Sequence, residues 1–268
     1  MRKNEFSELT NTSRVDMFCQ DASYPSDNDA EIPLLRMDRM ATECSKPFCA
    51  WGEQKRTFNM CWQGVLHFYV DDYRFNSLYE HPEKILQMHP KNIVEPNFSL
   101  YADTPVAFGM QAIYKKRWIA RCMQERGINV FVDLNVNAKF YKLNMLGVPL
   151  GWRTFCTRGY SDRLNNLEFE YTIAKEWSKG DPLFVIYGGG KECQFFAQRH
   201  NCIYITPLAT EKKKIKAMKT IAESVAFFNE DFSIKGLADM TGYDRMINDY
   251  TKKKNLETKE QKKIDTRI

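Results

Sequence analysis

The 268-residue sequence lacks any long run of uncharged apolar residues. A transmembrane helix needs about 20 consecutive residues of that kind, so no membrane span is expected. The N-terminal segment Met1-Arg-Lys-Asn-Glu-Phe6 also lacks the apolar core of a secretory signal peptide. We therefore expect a cytoplasmic protein without a membrane partner.

Recognised metal-binding and nucleotide-binding motifs are missing as well. Cys44, Cys49, Cys61 and His67 are separated by four, eleven and five residues, whereas zinc sites usually begin with a closer pair. We expect reduced thiols here, with zinc as the alternative. The run Gly188-Gly-Gly-Lys191 lacks the spacing of a P-loop, which leaves two interpretations. It is either a loose phosphate contact before a helix or a tight turn that requires glycine.

Strong charge of one sign is absent from most of the chain. The formal net charge is +5, but residues 251–268 hold seven lysines and arginines against three acidic residues. Residues 1–250 therefore carry a net charge of only +1, which argues against a globally basic nucleic-acid-binding protein. The tail is either a contact for DNA or a host protein, or a solvated, disordered end.

The sequence does contain short apolar runs, separated mostly by segments of helical character. The runs begin near residues 65, 93, 128, 152, 182 and 202. The helical segments are residues 77–89, 105–126 and 162–179, and a short helix follows the glycine run. Strands joined by helices pair in parallel through right-handed crossovers. This pattern predicts an α/β protein whose β/α units form an incomplete or distorted barrel, with an open doubly wound sheet as the alternative.

Four regions differ in composition along the chain. We predict an irregular N-terminal arm and a segment leading into the sheet (1–60), a parallel α/β domain (61–207), a small helical C-terminal appendage (208–250) and a charged, disordered tail (251–268). Within the first region, residues 43–59 are expected to form a loop. Within the third, residues 234–247 combine a helix, a turn and a helix, which is either a DNA-reading motif or simple packing.

Polar residues follow the predicted strands, where parallel α/β proteins place their ligands. The candidate catalytic carboxylates are Asp72, Glu95 and Asp133. The candidate substrate-binding residues are Arg74, Asn97, Ser99, Arg158, Tyr187, Gly188, Gly189 and Gly190. Such carboxylates suit acid–base chemistry or a divalent cation such as Mg²⁺. The alternatives are that Ser99 only caps the following helix and that Asp72 and Arg74 form a structural ion pair.

Five stretches together resemble an uncharacterised domain family that phages, plasmids and other mobile elements of bacteria and archaea carry. The stretches are Phe68–Phe75, Glu95–Tyr101, Tyr114–Arg117, Gly127–Val130 and Val185–Gly188, and the resemblance covers roughly residues 62–205. It implies a setting and a fold, but no established activity. In that family an Asp usually stands where this chain has Asn97. If that carboxylate is catalytic in the relatives, this chain is an altered or inactive copy.

Three functions remain open on these grounds. The first is an enzyme that acts on a nucleotide, or on a phosphate or sugar of nucleic acid, at the carboxyl ends of the strands. The second is a non-catalytic protein that binds DNA or a host factor through its C-terminal helices and lysine-rich tail. The third is an inactive, enzyme-like scaffold.

Overall fold

A computed structural model describes residues 24–53 and 62–210, together with residues 213, 216 and 218. The chain divides into two compact units, Met1–Leu208 and Ala209–Ile268. Most of the predicted arm, the 234–247 motif and the 251–268 tail lie outside the described residues. The predictions made for them remain predictions.

The first unit is built on one sheet of seven parallel strands. In chain order the strands are β1 (Phe48–Ala50), β2 (Val65–His67), β3 (Asn92–Val94), β4 (Asn129–Asp133), β5 (Thr154–Arg158), β6 (Leu183–Tyr187) and β7 (Ile203–Ile205). Their order in the sheet is the same as their order in the chain. The sheet curls into a nearly closed barrel, so the prediction of an incomplete barrel is confirmed, as are all six predicted strands.

Strand β1 was missed, because residues 43–59 were expected to form a loop. Phe48, Cys49 and Ala50 pair in parallel with Val65, Leu66 and His67. The Pro47 carbonyl accepts a hydrogen bond from the Val65 amide at 2.9 Å, which extends the ladder by one bond. Three residues are too few to show a periodic pattern, and the proline and glycine on either side suggest a loop.

In the described residues the helices are α1 (Glu83–Leu86), α2 (Val106–Glu125), α3 (Tyr141–Asn144), α4 (Leu164–Ser178) and α5 (Gly190–Arg199). The two long predicted helices agree with α2 and α4. Helix α2 ends before Gly127, whose φ of +83° is the left-handed conformation that glycine adopts readily. The predicted helical segment 77–89 is helical only in two short pieces. A 3₁₀ turn at Asn76–Leu78 and the single turn of α1 take the place of one continuous helix, because Pro82 disfavours helical geometry at His81.

Alternate residues along the strands face two separate cores. The barrel interior holds the apolar side chains Phe48, Val65, Val94, Phe131, Cys156 and Val185. The outer face packs against the helices through Leu66, Ile93, Val130, Val132, Phe155, Phe184 and Ile186. Inside the barrel, His67 of β2 packs on Tyr187 of β6, with ring centroids 4.3 Å apart. Both faces of strands β1 to β6 are therefore largely buried, as in parallel sheets covered by helices, whereas the residues of β7 are only half-buried.

Candidate functional site

The carboxyl ends of the strands meet at one edge of the sheet. Asp133, Arg158 and Tyr187 are the last residues of β4, β5 and β6, and the register pairs Arg158 with Tyr187. Glu95 follows the last residue of β3 directly. The predicted strand-end residues thus share an edge, but the directions of their side chains differ.

A cleft of about 300 Å³ opens at this edge. Its polar lining comes from Asp71, Asn97, Ser99, Asn135, Asn137, Arg158, Tyr160, Arg163, Asn166 and Glu170. Three of the predicted binding residues, Asn97, Ser99 and Arg158, are therefore brought together here. The other predicted residues lie outside the lining: Asp72, Arg74, Glu95, Asp133, Tyr187 and Gly188–Gly190.

Glu95 faces outward, between the sheet and α2, because neighbouring residues of a strand point to opposite sides and Val94 faces inward. Its side chain is fully buried, with Oε1 2.5 Å from Nη1 of Arg117. Lys116 lies between the two acidic groups, with Nζ 3.8 Å from Glu95 Oε2 and 3.0 Å from Asp133 Oδ2. Burial raises the pKa of the Glu95 carboxyl, and the two cations oppose that rise. These four residues, which we call the buried ion cluster, hold α2 on the sheet.

Asp133 is also buried, and it organises the floor of the cleft without lining it. Its Oδ1 accepts a hydrogen bond from the Tyr69 hydroxyl at 3.0 Å, and its Oδ2 accepts one from Asn97 Nδ2 at 3.0 Å. Burial raises the pKa of the Tyr69 hydroxyl well above its usual range. Asp133 therefore positions the cleft residue Asn97 from below.

The amide of Asn97 is matched to its surroundings. Its nitrogen donates to Asp133 and to the Asn135 carbonyl oxygen at 2.9 Å, and its oxygen accepts from Asn135 Nδ2 at 3.2 Å. Both partners of this nitrogen are oxygen atoms that accept, so a donor fits between them. An Asp at this position would place a second carboxylate against Asp133. Asn97 is thus an integral part of this hydrogen-bond network.

Asp72 and Arg74 lie on the loop after β2 and have separate structural contacts. The Asp72 carboxylate accepts bonds from the Ser99 amide at 2.8 Å and the Ser99 hydroxyl at 2.9 Å. Ser99 therefore joins two loops, and the interpretation of Ser99 as the cap of α2 was wrong, since Pro105 occupies that position. The Arg74 guanidinium lies over Gly52, and its carbonyl accepts a bond from Trp51 Nε1 at 2.8 Å.

The glycine run after β6 forms a tight turn. Gly188, Gly189 and Gly190 have φ values of +78°, +88° and +79°. A Cβ at Gly189 would lie 2.3 Å from Cys193 Sγ and 2.6 Å from the Gly159 carbonyl carbon. Positive φ and close approach of the chain both require glycine here, which is the second of the two interpretations open for this run. Tyr187, just before it, points into the barrel against His67.

Sequence reasoning missed Glu170, which reaches the cleft from α4. Its Oε2 accepts a hydrogen bond from the Thr157 hydroxyl at 2.6 Å, and only 8% of the residue is exposed. Burial raises the pKa of the Glu170 carboxyl well above its usual range, although the Thr157 hydrogen bond partly opposes the rise. The one available signal was Asn166 and Glu170 at a spacing of four beside the buried Leu167.

Arg158, Tyr160 and Arg163 form the rim of the cleft. The guanidinium carbons of Arg158 and Arg163 lie 5.4 and 4.7 Å from the centre of the Tyr160 ring. Arg163 also lies 3.7 Å from the exposed carboxylate of Asp162. Among the described residues, no carboxylate forms an ion pair with Arg158. Arg158 is exposed and lines the cleft.

The described cysteines form no disulfide among themselves; they are Cys44, Cys49, Cys122, Cys156, Cys193 and Cys202. Burial raises the pKa of the Cys44 thiol to about 11. Cys61, the third cysteine of the zinc alternative, lies outside the described residues. No group of three His, Cys, Asp or Glu side chains in residues 24–53 and 62–210 is close enough to hold a metal ion. No helix in the same part of the chain is long and apolar enough to span a membrane.

Two phage proteins are similar to this chain. The Gene 1 protein of Mycobacterium phage L5 is 30% identical over 193 residues, which cover 69% of this chain and 82% of that protein. The Gene 1 protein of Mycobacterium phage D29 is 32% identical over 124 residues, which cover 45% of this chain and 45% of that protein. The chain therefore matches less than half the length of this relative. No solved protein structure matches the chain significantly.

A family model, the domain of unknown function DUF4417, matches residues 24–196. The match begins well before residue 62, where the sequence resemblance was expected to start, and it includes β1. It covers more than half of the chain, and the two relatives are phage proteins. The chain therefore belongs to the DUF4417 family, a phage-associated family of domains of unknown function.

Proposed function

We propose that this protein binds and acts on a nucleotide, or on a terminal phosphate or sugar of nucleic acid, in the cleft. The observation that carries the proposal is Arg158 at the cleft rim, beside Arg163 and without a carboxylate partner among the described residues. A guanidinium presents several N–H donors in a planar fork that matches the oxygens of a phosphate. An arginine pair at the carboxyl ends of parallel strands is well placed for such an anion.

The remaining lining supports a nucleotide over a bare anion. Asn97, Asn135, Asn137 and Asn166 supply amide groups that can bond sugar hydroxyls or base edges. Tyr101 lines the cleft with 65% of its surface exposed, and an exposed aromatic ring is a stacking surface for a base. A volume of about 300 Å³ suits one nucleotide, which favours a mononucleotide or a chain end over duplex nucleic acid.

Catalysis in this site requires carboxyl groups other than those named from the sequence. Asp72, Glu95 and Asp133 are held in structural contacts, whereas Asp71 and Glu170 line the cleft. Mg²⁺ usually binds through one or two carboxylates plus substrate phosphates. Asp71, which is exposed, is the residue we propose for that contact if the substrate arrives with the cation.

The test is calorimetric titration of the full chain with the four ribonucleoside 5′-monophosphates, with and without Mg²⁺. Loss of a charged hydrogen bond is worth about 1.5–3 kcal/mol, so Arg158→Gln and Arg163→Gln should each weaken binding roughly 10- to 100-fold. The matched control is Arg153→Gln, because Arg153 is equally exposed but precedes β5 at the opposite edge of the sheet. If none of the three substitutions changes the affinity, the cleft is not the nucleotide-binding site. Incubation followed by phosphorus NMR then reports any turnover.

The second candidate function is binding of nucleic acid through residues 251–268, which the excess of four positive charges in this segment favours. Neutralising phosphates releases counterions, so such binding weakens as salt concentration rises. Deleting residues 251–268 should flatten the dependence of DNA or RNA affinity on salt and leave mononucleotide binding intact. An unchanged salt dependence would instead move the contact to another part of the chain.

A further inference from the structure

The Glu170 carboxyl occupies an unusual position in the cleft. It lies on the inner side of α4, one turn after Asn166, and it lines the cleft while remaining almost entirely buried. Its Oε2 is held by the hydroxyl of Thr157, itself a fully buried residue of β5. Within the described chain, its Oε1 forms no hydrogen bond, and this oxygen is not closed off from the cleft. A ligand in the cleft can therefore form a hydrogen bond with it.

The charges around Glu170 determine which form of the carboxyl is present. Asp133 of β4 and Cys193 of α5 are close enough to interact electrostatically with it, and neither group favours a negative charge on Glu170. Arg158, Arg163 and Asp71 lie on the walls of the same cleft, and none of them forms an ion pair with Glu170. A buried carboxyl without a paired cation avoids ionisation, because desolvation penalises the charged form. The raised pKa of Glu170 agrees with this geometry.

We infer that Glu170 is a hydrogen-bond donor to the ligand, with its Oε1–H bonded to a phosphate or sugar oxygen. This inference rests on the proposed function and identifies a specificity-determining group in the same site. In this arrangement the Thr157 hydroxyl donates to Oε2 and fixes the rotation of the carboxyl, which leaves Oε1 to carry the proton into the cleft. A neutral carboxyl can donate to an anion, whereas an ionised one repels it. Enzymes use buried neutral acids in this way.

The consequence is a specific dependence of anion binding on pH. Below the pKa of Glu170 the cleft presents a donor beside the arginines, and above it the cleft presents a negative charge. Affinity for an anion should therefore fall as the pH rises through that pKa. Glu170→Gln keeps the shape and an N–H donor but cannot ionise. It should bind as the parent does at low pH and keep its affinity at high pH.

The experiment measures the affinity of parent, Glu170→Gln and Glu168→Gln proteins for the four ribonucleoside 5′-monophosphates and for sulfate between pH 5.5 and 9. Glu168 is exposed on the same helix and serves as the matched control. The ratio of parent to Glu170→Gln affinity cancels the titration of the ligand. We expect this ratio to be near one at the lowest pH and to fall at least about tenfold by the highest pH. The affinity of Glu168→Gln should equal that of the parent at every pH.

Thr157→Val supplies a second, independent readout. The Thr157 hydrogen bond lowers the pKa of Glu170, so its removal should shift the loss of affinity to higher pH. A ratio that does not change with pH would show that Glu170 does not contact the ligand. Loss of binding at every pH in a folded Glu170→Gln protein would show that the carboxylate is needed. Absence of binding by the parent itself would overturn the proposed function first and this inference with it.

Discussion

Two regions at the same edge of the sheet use charged residues in opposite ways. In the buried ion cluster, Glu95 and Asp133 are paired with Lys116 and Arg117 beneath α2. In the cleft, Arg158 has no carboxylate partner among the described residues, and Glu170 is buried without a paired cation. A charged residue at a strand end therefore indicates a binding site only when its side chain faces the cleft.

The largest effect should come from breaking the buried ion cluster. Lys116→Met removes the cation next to Asp133 and leaves that carboxylate buried, so we expect a loss of about 3–5 kcal/mol in the free energy of unfolding. Lys115→Met is the matched control, because Lys115 is only half-buried and packs against Tyr79. Urea denaturation of both variants measures the difference. Equal stability of the two would show that the cluster does not hold α2 in place.

The next largest effect is expected at the glycine run, where the chain packs closely at the edge of the sheet. Gly189→Ala forces a left-handed conformation on alanine and places its Cβ against Cys193. We therefore expect the free energy of unfolding to fall by about 2–4 kcal/mol. Gly180→Ala meets no atom within 4 Å and should be nearly neutral. Thermal denaturation distinguishes the two. Nucleotide binding by a folded Gly189→Ala protein should equal that of the parent, since the run does not line the cleft.

Asn97 connects the two regions, and its exchange should have an intermediate effect. Asn97→Asp places a second carboxylate next to Asp133. We therefore expect the free energy of unfolding to fall by about 1–3 kcal/mol at neutral pH. The neighbouring charge raises the folded-state pKa of the pair. The variant should therefore be as stable as the parent at acid pH and become less stable than the parent as the pH rises. Asn137→Asp is the control, because Oδ1 of Asn137 only caps a helical turn, which aspartate does equally well.

If Asn97→Asp is as stable as the parent only when Mg²⁺ is present, the two carboxylates bind a cation. That result would support the view that this chain is an altered copy of a metal-binding relative. Urea denaturation at acid and alkaline pH, with and without Mg²⁺, separates these outcomes.

The smallest effect concerns Glu170 and the stability of the ligand-free protein. The pKa of Glu170 is raised on folding. Its contribution to the free energy of unfolding is therefore complete below the pKa of an unfolded glutamate, and it is lost as the pH rises through the pKa of the folded state. Glu170→Gln removes this loss and should make the protein more stable than the parent at high pH. Glu168→Gln should not. Melting temperatures between pH 4 and 9 test this, and parallel curves for all three proteins would contradict it.

Much of the fold could be predicted, because strands of this sheet are short apolar runs and each is bounded by turn residues. Six of the seven strands and the two long helices were found in this way. Strand β1 was not, since three residues beside Pro47 carry too little pattern. The site was less predictable. Asn97, Ser99 and Arg158 were predicted from position alone and line the cleft, whereas Glu170 lies on a helix and comes to the cleft only because α4 packs beside β5.

The amino-acid pattern predicts that the strands run parallel and that their carboxyl ends meet at one edge, while their order in the sheet was left open between a barrel and a doubly wound sheet. Local apolar runs and the lengths of the connections between them contain that information. Three features depend on tertiary packing and could not be predicted: Glu95 faces α2, Asp133 lies under Asn97, and Glu170 lines the cleft. Both faces of these strands are buried, so no alternation of polar and apolar residues marks the inward side. The direction of each side chain depends on pairing register and helix packing, which join residues far apart in the chain.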